Sequence, residues 1–266
     1  MLRARLATAA VAIPSLLFLI LHPSPWPMAA LIVAVAVVGL GEYARMAFPS
    51  RRAERILTIA LGTAVVVAAA MRKQAPELVD AALALTIGAG LVWTLVGRPD
   101  FEDGLRDLGL LLVGVLYVGL MLPHFLWLRD VDLGRWWVIF VVTIGMAGDT
   151  GGYAVGHALG RHKLMPRVSP GKTIEGAVGI VATSLLAGAV CKLVFLRQLG
   201  WSEILLLSAL MAVLGQLGDL SESIMKRTFG AKESGWLFPG HGGVLDRIDS
   251  LLFPVVFLYY YVVFSH

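Results

Sequence analysis

Asp219, Ser223, Lys226, Asp246 and Asp249 are the side chains whose types and spacing could do chemistry together. In DLSESIMKR, which starts at Asp219, the residues Asp219, Ser223 and Lys226 stand four and then three positions apart. A helix therefore carries them on one face, with Glu222 and Arg227 beside the stripe. A carboxylate, a hydroxyl and two cations on one side of an oily helix make a poor lipid surface and suit a water-accessible cleft. Further on, in FPGHGGVLDRID, Asp246 and Asp249 are spaced i, i+3, so a helical turn would aim both carboxylates the same way. Together with Asp219 they could supply hard oxygen ligands for Mg²⁺, which takes one or two carboxylates completed by phosphate oxygens and water. Gly240, Gly242 and Gly243 permit close backbone approach and amide donation to phosphate oxygens. His241 could donate to a phosphate or transfer a proton, and no HxxxH or Cys cluster supports zinc.

Each feature alone has an ordinary explanation. Asp246-Arg247-Ile248-Asp249 could be a charged helix start, and Lys226–Arg227 a pair snorkelling to the bilayer edge. Neither explains Asp219, and the coincidence with the glycine run raises the metal reading. Asp149, in MAGDTGGY, is another acid at membrane depth, where a helix cap would be the plain alternative. A second polar stretch, GRHKLMPRVSPGKTIEG, adds Arg161, Lys163, Arg167 and Lys172, which serve orientation and anion binding. Its GKT is not a P-loop: Pro166 stands where the leading glycine belongs, and no strand is expected before it. GLGEYA, Gly39 to Ala44, resembles a dinucleotide fingerprint only superficially, because it lies in a hydrophobic span.

The elements that must position these residues are membrane helices. The 266 residues are 58% hydrophobic and 15% charged, against roughly 25% charged in soluble domains. Mean hydropathy is +0.80. Apolar windows of spanning length recur from end to end, predicting an all-α, polytopic transmembrane bundle and a single integral membrane domain over 1–266. Spans fill 1–135, and 136–266 adds the site loops. Nine spans are expected: Ala7 to Leu21, Pro27 to Ala47, Ile56 to Met71, Leu78 to Gly97, Leu108 to Leu128, Trp136 to Gly156, Glu175 to Leu196, Trp201 to Lys226 and Ser250 to Phe264. The first has the positive-then-apolar look of a signal peptide, but no small-residue cleavage site clearly follows, so it reads as a helix.

Charge orients the bundle. With a cytoplasmic N-terminus the outer segments hold six of the 22 Lys and Arg: Arg72, Lys73, Arg129, Arg135, Lys192 and Arg197. The other sixteen lie inside, as the positive-inside rule expects. Both site loops, Gly156 to Thr173 and Arg227 to Asp249, then share the inner face. The basic balance is thus accounted for by orientation; no basic-aromatic patch points to nucleic acid. Cys191, the single cysteine, sits in an apolar run as an inert packing residue.

The segment SESIMKRTFGAKESGWLFPGHGGVLDRIDS, from Ser221, resembles the signature of the phosphatidate cytidylyltransferase (CDP-diacylglycerol synthase) family. DTGGYAVGHALGRHKLMPRVSPGKTIEG, from Asp149, resembles that family's second block. Two departures are Glu233, where the family usually has Asp, and His157, where Arg is common; Glu233 is left out of the site. The resemblance implies an enzyme of phospholipid biosynthesis that joins CTP and phosphatidic acid to give CDP-diacylglycerol and pyrophosphate with Mg²⁺. It also suggests a homodimer; the chain's compactness suggests a bacterial-type cell and so the inner membrane, and the charges put the site on the cytoplasmic side. On this reading Asp219, Asp246 and Asp249 hold one or two cations, and Lys226, Arg227 and Lys172 neutralise phosphate. Ser223, Gly240, His241, Gly242 and Gly243 make further substrate contacts. A CTP-dependent polyprenol or lipid kinase is the nearest rival. A transporter is the rival of another class, though the polar residues gather at one face rather than in midplane repeats. The DGxxAR-type motif of CDP-alcohol phosphotransferases is absent.

Overall fold

The computed structural model describes residues 14–97, 100–235 and 242–265. Among the described residues, eight helices are long and apolar enough to cross a membrane. They correspond to the second through ninth expected spans. Residues 14–21 are helical (α1), while the expected span's earlier part, Ala7 to residue 13, lies outside the described residues. So do Gly240 and His241.

The apolar run after α1 restarts at a proline cluster. Pro27 sits in the first turn of α2 (Trp26–Ala47), where its missing N–H costs no helical hydrogen bond. Arg129 braces this hinge by donating to the carbonyls of His22 (2.6 Å) and Ser24 (3.0 Å). α3 (Arg52–Ala70) and α4 (Glu77–Gly97) follow. α4 leaves Leu85, Val92, Leu95 and Val96 exposed, a surface that suits lipid rather than water.

The next span is continuous but not uniform. α5 (Phe101–Gly114) starts at Asp100, whose carboxylate accepts from the Glu102 amide, and passes into a π-helical stretch, Val115–Leu120. After Pro123 it ends in α6 (His124–Arg129). Sequence patterning predicts one regular helix here. The π stretch coincides with a tight crossing: a Cβ on Gly119 would stand 3.0 Å from the carbonyl oxygen of Gly62.

α7 (Gly134–Leu159) and α8 (Ile174–Val194) meet almost backbone to backbone. A Cβ on Gly151 would lie 2.2 Å from Thr183 Oγ1, and one on Gly179 would lie 2.6 Å from Val155 Cβ. Small residues at a helix crossing allow that approach, as lipid-embedded helices require when water cannot drive their association. The loop joining them is an antiparallel hairpin, β1 (Lys163–Met165) with β2 (Ser169–Thr173), pairing Lys163 with Thr173 and Met165 with Ser169. This is one departure from an all-α chain, and GKT lies within β2 rather than in a loop. Glu175 secures the hairpin base, accepting from the amide of Arg161 at 3.0 Å and pairing with His162 Nδ1 at 2.6 Å.

α9 (Trp201–Thr228) and α10 (Leu245–Ser265) complete the bundle. α10 starts five residues before the expected Ser250, so Asp246 and Asp249 are on its first turns. The core gathers Leu40 from α2, Val118 from the π stretch, Phe140 and Val141 from α7, Leu207 and Met211 from α9, and Leu252 and Val255 from α10. Lys73 pairs with Asp130 at one end of the bundle, and Arg227 meets the hairpin at the other.

Candidate active site

Two polar layers lie at the hairpin end. The outer layer is a cavity of about 370 Å³ between α7, the hairpin, α8 and α9, with Asp149, Tyr153, His157, Lys172 and Asp219 in its lining. Asp149 lies ten residues before the end of α7, about 15 Å along the helix at 1.5 Å per residue, so the cavity reaches membrane depth. β2 carries Lys172 to it, and Thr173, next along, caps α8 by accepting from the Gly176 amide at 3.1 Å. Lys172 Nζ stands 2.6 Å from Asp219 Oδ2, with the two side chains 23% and 34% exposed. Ser223 Oγ donates weakly to Asp219 Oδ1, at 3.4 Å. Arg247, exposed on α10, lies near enough for its charge to act on Asp149.

The inner layer is packed between α9 and α10. Lys226 forms ion pairs with Glu222, one turn before it on α9, and with Asp246. Asp246 Oδ1 takes the Lys226 ammonium at 2.5 Å. Its Oδ2 accepts from Ser234 N (3.0 Å), Ser234 Oγ (2.8 Å) and Gly243 N (2.8 Å). Gly242 beside it has φ +76°, and a Cβ there would lie 2.5 Å from Asp246 Oδ2, so the turn needs glycine twice over. Asp249 is buried and accepts from the Ser250 amide at 2.6 Å. α9 approaches it closely, since a Cβ on Gly218 would stand 2.3 Å from the Asp249 carbonyl oxygen. Asp219 and Glu222 are near enough for their charges to act on Asp249. Tyr117, from the π stretch, feels the same three acids, and its buried hydroxyl has no hydrogen-bond partner among the described residues.

The residues singled out by spacing therefore divide. Asp219, Lys172 and Ser223 meet at the cavity. Lys226, Asp246 and Gly243 form the inner knot, so Lys226 and the Gly243 amide are directed at protein groups. Arg227 is spent on backbone, donating to Val168 O (3.2 Å) and Ala231 O (3.1 Å), where it fastens the hairpin turn. Asp246 and Asp249 share the start of α10, yet the first points to Lys226 and the second beds against α9. Among the described residues no three His, Cys, Asp or Glu side chains form a group that could hold a metal.

Asp149, Glu222, Ser234, Tyr117 and Arg247 had no role in the set chosen by spacing, and neither did Glu42, whose carboxylate accepts from the Val244 and Leu245 amides beside the knot. Asp149, Glu222 and Glu42 are acids inside apolar spans, which was the available signal. Ser234 carried none.

An apolar groove of about 660 Å³ runs beside the cavity along α8 and α9, lined by residues including Val178, Val181, Leu185, Val213 and Leu217. Leu164, Ala177 and Gln216 belong to both walls, so the two spaces adjoin.

A bundle of membrane-length helices with acids and lysines collected at one end is a polytopic membrane protein with a polar site open beside its lipid-facing surface. The chain belongs to the Cytidylyltransferase family, whose match runs over residues 3–265. It is similar to the phosphatidate cytidylyltransferase of Bacillus subtilis (strain 168), 36% identical over 64% of this chain and 63% of that protein. The phosphatidate cytidylyltransferase of Staphylococcus epidermidis is 38% identical, covering 63% of each chain. That of Brucella suis biovar 1 is 38% identical over 68% of this chain and 67% of its own. The match thus spans just under two thirds of the Bacillus and Staphylococcus proteins.

Proposed function

We propose that this protein transfers the cytidylyl group of CTP to phosphatidic acid, giving CDP-diacylglycerol and pyrophosphate, at the cytoplasmic end of the bundle. The adjacency of the polar cavity and the apolar groove carries the reading. Phosphate belongs against Lys172 in the first, acyl chains belong along α8 and α9 in the second, and one substrate that has both would bridge them. The names of the relatives support the same reaction, and the bias of Lys and Arg toward this end supports the sidedness.

The chemistry asks little of a general base. The phosphate monoester of the lipid is already an anionic nucleophile. Its oxygen attacks the α-phosphorus of CTP in line; the new O–P bond forms as the bond to the β-phosphate oxygen breaks, and pyrophosphate departs with that electron pair. The difficulty is bringing two polyanions together, which is a matter of charge neutralisation and orientation. Lys172 at the cavity wall and Arg247 near it supply positive charge from the protein. The knot of Lys226, Glu222 and Asp246 holds the glycine-rich turn and the start of α10 in register with α9.

Mg²⁺ fits part of the acidic set. Asp246 is enclosed by Lys226, Ser234 and the Gly243 amide, whereas Asp219 faces the cavity, held there by Lys172 and weakly by Ser223, and Asp249 is near enough for the two charges to act on one another. Two carboxylates completed by phosphate oxygens are a sufficient Mg²⁺ site, so Asp219 and Asp249 would hold it. The ion would neutralise the triphosphate and the leaving pyrophosphate.

Purified protein supplied with CTP, phosphatidic acid and Mg²⁺ should release pyrophosphate, and EDTA should stop it. Release of CDP instead, with a phosphorylated lipid as co-product, would make it a kinase and overturn the reading.

A further inference from the structure

Glu42 lies in the GLGEYA run of α2, in a span without other acids, yet its carboxylate is only 2% exposed and fully occupied. Its Oε1 accepts from Val244 N at 3.0 Å, from a residue 202 positions away, and its Oε2 accepts from Leu245 N at 2.9 Å. Those two amides open α10, where the first turn has no intrahelical acceptors. A helix is usually capped by the residue just before it. Here a charged group from another helix takes that place, where the N-terminal dipole and charge-assisted hydrogen bonds favour it.

The seat is shaped for this carboxylate. A Cβ on Gly235 would lie 2.2 Å from Glu42 Oε1, and one on Gly243 would lie 2.5 Å from Oε2. Ser234 Oγ stands 3.3 Å from Glu42 Oε2 and 2.8 Å from Asp246 Oδ2, so one hydroxyl links the two carboxylates. Asp246 directly follows Leu245, and Asp249 comes one turn later.

We propose that Glu42 is a positioning residue of the active site: it clamps the start of α10 and the glycine-rich turn onto α2, and so sets where Asp246 and Asp249 stand relative to α9. The assignment rests on the cytidylyl-transfer reading for its catalytic consequence, but not for the clamp itself. It gives α2, far from the site in sequence, a direct hold on it.

Glu42→Gln keeps the shape and removes the charge, setting an amide NH₂ against one of the two backbone N–H donors. Hydrogen exchange at Val244 and Leu245, followed without substrate, should accelerate at least tenfold. Pyrophosphate release should fall on the order of 10–100-fold, as for other outer-shell partners of ligating groups. The half-saturating Mg²⁺ concentration should rise, while KM for phosphatidic acid stays within about twofold, because Glu42 does not border the groove. Should Glu42→Gln fail to fold, Glu42→Asp, which retracts the charge by one methylene, goes through the same measurements, with at least a tenfold loss of turnover expected. A folded variant with wild-type exchange at both amides, or with wild-type turnover and Mg²⁺ requirement, overturns the assignment. A wild-type protein that releases no pyrophosphate removes the cytidylyl-transfer reading instead, and the exchange rates then decide the clamp alone.

Discussion

Replacing Asp246 by Asn tests the inner knot most directly, because shape is kept and a single charge is lost. In the wild type this carboxylate accepts from Lys226, from Ser234 twice and from Gly243. Asn retains one oxygen for Ser234 and Gly243 but turns an NH₂ toward the Lys226 ammonium, donor against donor. Removing one partner of a buried pair costs about 3–5 kcal/mol when the other charge is orphaned. Lys226 is not orphaned, since Glu222 still pairs with it. The loss is therefore nearer that of one charge-assisted hydrogen bond, about 2 kcal/mol. At about 1.4 kcal/mol per factor of ten, the detached state of the turn gains roughly 30-fold over the seated one. Thermal unfolding in detergent should drop by about 4 °C, and pyrophosphate release at saturating substrates should fall by more than tenfold. Because Lys226 and Asp246 act on one another, Lys226→Met combined with Asp246→Asn should be milder than the sum of the single changes by about 1 kcal/mol or more. Strict additivity, or Asp246→Asn with unchanged melting and turnover, would refute the knot as the organiser of this loop.

Other consequences are checked as simply. Lys172→Met removes the cation facing Asp219; turnover should fall at least tenfold and KM for CTP should rise, with the same yield of folded protein by size exclusion. Gly151→Ala drives a methyl into Thr183 and should destabilise by about 1–3 kcal/mol, a loss that Thr183→Ala should partly restore in a thermal-melt comparison. Ala182→Trp fills the groove between α8 and α9; the ratio of long-chain to short-chain phosphatidic acid turned over should decrease, while KM for CTP holds.

The helices were legible because lipid reads composition directly: apolar runs of spanning length had nowhere else to go, and eight of the expected spans appear, the fifth starting seven residues earlier than expected, at Phe101. Their ends were less so. α10 begins at Leu245 rather than at Ser250 because its first turn is held by acceptors elsewhere in the chain, not by a local cap. The hairpin at Lys163–Thr173 looked like a basic loop; its strands are short, and its base is secured by Glu175 from α8, a tertiary contact that no local pattern announces. Spacing did place Asp219, Ser223 and Lys226 along α9. It could not say that Asp246 would face a lysine and a serine hydroxyl. Glu42 was legible only as an acid in an oily span, since a lone carboxylate has no spacing to interpret. The partner that explains it is 202 positions distant.

The glycine contact between α7 and α8 has a mechanical consequence. Two rods touching main chain to main chain cannot tilt apart without forfeiting close contacts along their whole shared length, and the hairpin ties their ends together. They form a stiff panel. A fatty tail sliding in from the bilayer would then find its give along the α8–α9 seam, where side chains, not backbones, fill the gap.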